Sequence, residues 1–405
     1  MRLIIQKFGG SSLCSHKMRE LVKEHILAAK HDGYQPVVVV SAMGRKGEPY
    51  ATDTFLDMIR NVSPMASPRE IDLLISCGEL MAAAVLAAQI NGTGAEAVAL
   101  TGWQAGIITD GVFGHAEILR IKKERILKLA SAGIIVVVAG FQGISENCEV
   151  NTLGRGGSDT TAVALAAALE SERVEIYSDV DSVMTADPRL VPEAKPIQNI
   201  GYQEVLLMSR EGAKVIHPRA VDIALQYNLP LLFKKTGEYN GGTLVTHKKI
   251  CDEKGYISRE KVISGITHVE GLAQVRLADP QAKDIEEILR KQSSSGISFE
   301  LISFSPQEKI FTVPATEAQR VADAFNAAGC PAEVRAGFAK VSVVRSGMRG
   351  NSGVMVRVVR ALNQVGTEIL QTVDSHISIS CLIPQKDVAN AVKSLHLEFC
   401  LGEEA

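Results

Sequence analysis

The sequence predicts an α/β protein: a mostly parallel sheet between helices over residues 1–245, then a tail built from two copies of one small strand-helix-strand-strand-helix unit. Three observations carry this. The runs VVVVSA (37–42) and GIIVVVAGF (133–141) are continuous and β-branched, the composition of strands buried on both faces. Around them lie stretches with helical spacing or wholly apolar character, including 17–30, 80–90 and 160–168. Beyond a charged connector near 243–256 the pattern repeats. Strands are expected at 272–278, 297–303 and 308–313 with helices near 281–291 and 315–327. They recur at 340–344, 368–373 and 376–382 with helices at 353–364 and near 386–395. The two copies are expected to fill 262–330 and 338–400, each too small to be stable alone and so paired through its sheet.

Ligands of open α/β sheets gather beyond the carboxyl ends of strands, which points to the turns after Phe8, Val40, Phe141 and Tyr177. The first strand, 2–8, runs into KFGGSS (7–12) and then a helix. That turn either packs tightly through Gly9 and Gly10 or offers backbone N–H groups to an anion beside Lys7. VVVVSAMGRKGEPYATDT (37–54) puts Ser41 at a strand end and Thr52-Asp53 at a helix start, where Asp caps well. In ISCGELMAA (75–83), Glu79 enters an apolar helix, where a carboxylate either complements the helix dipole or meets a ligand. GRGGSDTTA (154–162) is a flexible turn that carries Arg155 and opens an Ala-rich helix with Ser158 and Asp159 in its first turn. The stretch 176–190 ends a strand at Ser178-Asp179 and closes at Asp187-Pro188-Arg189, suiting either a plain turn or nucleotide contact. Lys214, flanked by apolar residues, is either a snorkelling surface lysine or a second phosphate ligand.

Composition excludes several classes. A net charge of −3 and the lack of a basic stripe with interleaved aromatics argue against a nucleic-acid partner. Apolar runs such as 134–139 fall far short of the ~20 residues of a membrane helix, so no membrane partner is expected. Without a secretion-signal pattern the chain is expected in the cytoplasm. Seven scattered cysteines without a Cys-x-x-Cys pair suit reduced thiols, and the nine histidines show no metal-ligand spacing. G-x-x-x-x-G-K-[ST] and the protein-kinase signatures are missing, so ATP chemistry here would need another fold.

In this order, KFGGSS, VVSAMGRKGEPYATDT, SCGELMAA, GRGGSDTTA, SDVDSVMTADPR and GAKVIHPRAV resemble the aspartokinases of the amino-acid kinase superfamily. GMRGNSGVMVRVVRAL and ILQTVDSHISISCL resemble their paired ACT regulatory domains, and the insert GRKGEPYATD is most similar to the diaminopimelate-sensitive aspartokinase I type of spore-forming bacteria. The resemblance implies an amino-acid kinase fold followed by two βαββαβ-type ACT domains. It also implies phosphorylation of the β-carboxylate of L-aspartate with ATP, whose Mg²⁺ is carried by the nucleotide, as the first step toward diaminopimelate, lysine, threonine, methionine and isoleucine.

Roles follow position by position. Lys7, Phe8, Gly9, Gly10 and Ser41 would lie about the ATP phosphates, with Ser178, Asp179, Met184, Arg189 and Lys214 also at the nucleotide. Thr52, Glu79, Arg155 and Ser158 would hold aspartate, and Lys7, Asp159 and Lys214 would be catalytic. Gln371, Thr372, Asp374 and Ser375 would meet an amino-acid effector, diaminopimelate before lysine or threonine, in at least a dimer joined through ACT domains. Ser11 stands where the family usually has Thr, and Ser182 and Met184 where it has Gly and Tyr. Two rival readings are another amino-acid kinase, acting on glutamate or an N-acetylated amino acid, and a catalytically silent ACT sensor. A free α-amino group calls for an acidic partner such as Glu79, which disfavours the first; Lys7, Arg155, Asp159 and Lys214 together disfavour the second.

Overall fold

β1 (Arg2–Phe8) and β2 (Tyr34–Val40) pair in parallel at the middle of a sheet, and Val37–Val40 are fully buried, as their β-branched run demands. The computed structural model describes the chain except for Val180, Asp181, Lys214, Val215, Asn240, the side chain of Ser294, Ser295 and residues 248–262, 278–284, 306–307, 346–352 and 404–405. It divides into two compact units. The first holds Met1–Val183, Pro196–Ser209 and the described part of 214–258; the second holds Met184–Lys195, Arg210–Ala213 and the described part of 259–405.

The first unit continues with β3 (Ala97–Leu100), β4 (Ile107–Thr109), β5 (Ile118–Ile121), β6 (Ile135–Ala139), β7 (Gln142–Ile144), β8 (Val150–Thr152), β9 (Val174–Ser178), β10 (Asn199–Gly201), β11 (Leu231–Lys235) and β12 (Thr243–Thr246). The main sheet runs β10-β12-β11-β9-β1-β2-β6-β3 and is parallel throughout except between β11 and β12. A small sheet runs β5-β4-β7-β8. The helices are α1 (Gly10–Leu13), α2 (His16–His31), α3 (Thr52–Val62), α4 (Pro68–Ile75), α5 (Cys77–Asn91), α6 (Glu124–Ser131), α7 (Gly157–Leu169), α8 (Tyr202–Arg210) and α9 (Pro218–Tyr227).

Strand alternation decides what each face receives. Phe8, Val38, Val40, Val137 and Ala139 pack against Val22 and Ile26 of α2 and Ala82, Leu86 and Ile90 of α5. Burying the Phe, Val, Ile and Leu side chains among these stabilises the fold by ~1.5–3 kcal/mol each. Lys7, one residue before Phe8, therefore faces the other side, where it meets α7. Caps fix the helix starts: Ser15 accepts from Met18 N, and Ser67 accepts from Glu70 N with Pro68 in the first turn. The expected Asp cap of α3 is not used; α3 starts at Thr52 from Ala51 without a side-chain cap. The run Pro68–Asn91 is long and apolar enough to cross a bilayer, yet it folds as α4 and α5 with its apolar side in this core.

In the second unit the expected repeat appears as β13 (Ile263–Leu277), α10 (Ile285–Ser294), β14 (Leu301–Phe304), β15 (Lys309–Pro314), α11 (Ala315–Ala327), β16 (Ala332–Arg345), α12 (Val354–Gln364), β17 (Gln371–Asp374), β18 (Ser378–Pro384) and α13 (Val388–Glu398). One antiparallel sheet, β14-β15-β13-β16-β18-β17, joins both copies. β13 and β16 are longer than a single repeat requires, because they pair along their lengths with register shifts near Val269–Ala273. The C-terminal half of β13 pairs with β15 of the first copy, and β18 of the second pairs with the C-terminal half of β16. The two halves thus share strands, and each has its own core, around Phe311 and Phe325 and around Val341 and Leu395.

Candidate active site

Backbone hydrogen bonds extend the sheet one residue past its carboxyl edge. Gly9 N donates to Tyr177 O, Ser41 N to Phe8 O, Gly140 N to Val40 O and Thr236 N to Ser178 O. The turns after β1, β2, β6 and β9 singled out from the sequence are therefore neighbours. Phe8 itself is fully buried and stacks on Tyr177 with 4.6 Å between ring centroids, so it supports the turn from beneath.

Ala42 links two of these places. A Cβ at position 10 would lie 2.6 Å from Ala42 O and 2.5 Å from Gly44 O, so the KFGGSS turn rests on the backbone of the β2 loop. On its other side, Ala42 N donates at 2.9 Å to Glu79 Oε1, in the first turn of α5. Glu79 is 2% exposed, and its Oε2 has no hydrogen-bond partner among the described residues. Burial, which outweighs the Ala42 N–H, pushes this carboxyl up to about 8. A buried carboxyl with one oxygen unmatched lacks the partner that burial normally demands. Thr52 opens α3 nearby, since Gly78 sits against Ala42, Phe55 and the Tyr50 carbonyl.

From the other face, Lys7 Nζ lies 2.6 Å from Asp159 Oδ1 in the first turn of α7, with 11% and 14% of their side chains exposed. The contact is an ion pair without hydrogen-bond alignment. Ser158 is buried against Gly140, where a Cβ would come within 2.9 Å of the serine's own. α7 begins from Gly156, whose φ of +68° suits glycine, and a side chain there would collide with His217, 2.1 Å away. Burial, opposed by Asp159, holds His217 below its ordinary value, and its Nδ1 accepts from Arg219 N. Arg155 stands exposed between Gly154 and Gly156 with no hydrogen bond or ion pair among the described residues.

Gly9 and Gly10 differ in what they do. Gly10→Ala should destabilise the protein, because its Cβ meets two backbone carbonyls that cannot retreat cheaply. At Gly9, φ is −73° and the nearest atoms to a Cβ are Lys7 Nζ and Tyr177 O at 3.6 Å, so alanine fits the fold but fills the space before the lysine. Thermal melts and ATP kinetics should separate them: Gly10→Ala lowers Tm by several degrees, whereas Gly9→Ala keeps Tm and raises KM for ATP about tenfold or more.

Ser41 and Ser178 lie at strand ends as expected. Asp179 makes a 2.6 Å ion pair with Arg45 and accepts from Ser11 Oγ at 3.3 Å; burial raises its carboxyl, but the Arg45 bond wins and holds it below the carboxylate range. Arg45 was not anticipated, although a basic residue in a glycine-containing loop after a strand is the signal that would have found it. Lys214 lies outside the described residues. Met184 and Arg189 belong to the second unit, where Met184 packs on its core and Arg189, largely exposed, forks onto Asp187. Among the described residues no group of three His, Cys, Asp or Glu side chains could cage a metal.

The family model for the amino acid kinase family matches residues 2–235, and one for the ACT domain matches 333–397. Over 405 residues the chain is 40% identical to Aspartokinase 1 of Bacillus subtilis, covering 100% of each. The chain belongs to the aspartokinases. It is an aspartate kinase, a phosphotransferase with an ACT regulatory region. Escherichia coli aspartokinase III shares the fold: its complex with aspartate and ADP aligns at a TM-score of 0.79 and 23% identity, over 98% of this chain and 99% of that one. Its complex with lysine and aspartate aligns at 0.75 with the same identity and coverage.

In the regulatory region of this aspartokinase, Gln371, Thr372 and Asp374 form the edge strand β17. Gln371 Oε1 accepts from Thr312 Oγ1 and Gln274 Nε2, so it touches the first repeat. Asp374 pairs with Arg345 at 2.8 Å, and Ser375 Oγ donates to Ser378 O. Residues 346–352, which follow β16, lie outside the described residues.

Proposed function

We propose that this aspartokinase transfers the γ-phosphoryl group of MgATP to the β-carboxylate of L-aspartate. Glu79 would receive the α-ammonium and Arg155 would clasp the α-carboxylate in a bidentate fork. The observation that carries this reading is the buried, half-satisfied Glu79 carboxyl, tied through Ala42 to the glycine turn. A carboxylate nucleophile with a reference pKa near ~3.9 is already ionised at neutral pH, so the site needs no base. It needs relief of repulsion between two anions, which Lys7, with Lys214 as a second cation, and the backbone N–H groups of the glycine turn offer. Asp159 would hold the Lys7 ammonium in place. The position before Gly9, where an added Cβ would lie 3.6 Å from Lys7 Nζ, would receive a phosphate group. Mg²⁺, arriving with the nucleotide, supplies further charge neutralisation to the phosphates. Thr52 and Ser158 would complete the aspartate contacts, and Ser41, Ser178 and Asp179 the nucleotide contacts. The test is ADP release with L-aspartate, L-glutamate, an N-acetylated amino acid or no acceptor. Turnover confined to aspartate supports the reading, and preference for another acceptor overturns it.

Control belongs to the same proposal. We infer the diaminopimelate-sensitive type, in a cytoplasmic homo-oligomer of at least two chains joined through the ACT region, where β17 and Ser375 would meet the effector. Similarity to Aspartokinase 1 supports the type, and free thiols such as Cys330 and Cys381 suit a reducing compartment. Allosteric coupling of about 1–3 kcal/mol corresponds to a ~5- to 150-fold change in apparent affinity. Millimolar meso-diaminopimelate should therefore inhibit the intact enzyme, with lysine and threonine weaker in initial-rate titrations. Unchanged rates with all three would leave the ACT region without an effector among them.

A further inference from the structure

Asp72, on α4, is 1% exposed and plays no part in the chemistry above. Its Oδ2 accepts from Gly114 N and Thr152 N, both at 2.8 Å, and its Oδ1 accepts from Thr152 Oγ1 at 2.8 Å. Among the described residues no cation pairs with it. Three hydrogen bonds from neutral donors satisfy the buried carboxylate instead, and each is strengthened by its charge.

What Asp72 grips is the base of the Arg155 turn. Thr152 ends β8, a strand at the edge of the small sheet, and three residues later comes Arg155. Gly114 lies beneath that turn: a Cβ at Gly154 would meet Gly114 O at 3.0 Å and His115 Nδ1 at 2.9 Å. Arg155 lies between two glycines of positive φ and has no side-chain partner among the described residues, so its position depends on the backbone below. Asp72 also shares a helical path with Glu79. Ser76, between α4 and α5, stays in the right-handed helical region, and a spacing of seven residues puts both side chains on one side, about 10 Å apart along the axis. One rod thus carries the cation receptor and the anchor of the guanidinium turn.

We propose that Asp72 is a positioning residue that fixes Arg155 relative to Glu79 and thereby sets recognition of the α-amino and α-carboxylate pair, including its handedness. The inference rests on the aspartate roles given to Glu79 and Arg155. In the intact enzyme, Asp72→Asn, which keeps shape but cannot accept all three bonds as well, should raise KM for L-aspartate ~10- to 100-fold. KM for ATP should stay within about threefold and kcat fall less than about fivefold. The preference for L-aspartate over D-aspartate, read as KM for the first against the inhibition constant of the second, should fall at least about fivefold, which a loss of stability alone would not do. Thr152→Val, which removes only the hydroxyl bond, should move the same quantities less. If Asp72→Asn does not fold, Thr152→Val decides: a KM rise confined to aspartate supports the proposal, and unchanged kinetics overturn it. Arg155→Lys is measured alongside. A large rise in KM for aspartate there with none in Asp72→Asn overturns the role of Asp72 alone, while no rise in Arg155→Lys overturns the site reading and this inference together. Parallel losses of ATP and aspartate affinity in Asp72→Asn would mean general loosening and also overturn it.

Discussion

Lys7→Ala should lower kcat by about 10²-fold or more at saturating aspartate and ATP, and should lower the melting temperature because Asp159 loses its partner. Lys7 lies at the end of a central parallel strand, on the face opposite the aliphatic core, with its ammonium 2.6 Å from Asp159 and beside the space that a Cβ on Gly9 would fill. In the proposed reaction negative charge gathers on the transferring phosphoryl group, and removing one fixed charge or donor at such a place costs ~10²–10³ in rate. Alanine also leaves Asp159 without its cation, which adds an anion where anions must meet. Asp159→Asn should therefore lower kcat less than Lys7→Ala, because it frees the lysine without creating repulsion. The check is steady-state kinetics with thermal melts of each variant. Lys7→Ala turning over within a few-fold of the parent would take Lys7 out of the reaction.

The parts that were legible in the sequence are those where one physical demand dominates. A run such as Val37–Val40 has no polar side to show to water, so it could only be an interior strand, and glycines directly after Phe8 had to lie where backbones approach closely. Arg155 and Asp159 stand out in the sequence as site candidates because turn glycines next to charges have few structural reasons to exist. The small sheet was not legible. Residues 133–141 read as one strand, but β6 ends at Ala139, Phe141 takes a φ of 70°, and β7 begins at Gln142. Strands of three residues such as β7 and β8 carry too little alternation to announce themselves. The long partnership of β13 with β16 was likewise hidden, because only their apolar segments look like strands and the pairing partner is distant in sequence. Asp72 was hidden for a different reason: on an amphipathic helix it looks like any solvated carboxylate, and only the fold shows that its donors are the backbone of Gly114 and Thr152.

Glu79 should give the enzyme a pH dependence that a solvated glutamate would not. Burial raises its carboxyl to about 8 in the free protein, against an ordinary value of 4.5. An ammonium group binds the ionised form, so at neutral pH aspartate binding must release a proton from Glu79. kcat/KM for aspartate should consequently rise nearly tenfold per pH unit below about 8 and level off above it, whereas kcat stays flat because bound ammonium keeps the carboxylate ionised. Stability moves the opposite way. The folded pKa lies above the unfolded one, so the contribution of Glu79 is fully present below about 4.5 and is lost as pH rises toward 8, by at most ~1.4 kcal/mol per pH unit. Without ligand, Tm should fall over that window, and saturating aspartate should restore it. Glu79→Gln removes the titrating group: KM for aspartate should rise ~10²-fold or more, as expected when a buried partner of a charge is lost, and both slopes should vanish. A pH-independent kcat/KM between 6 and 8 in the parent enzyme, or slopes that survive in Glu79→Gln, would assign the ammonium to another residue.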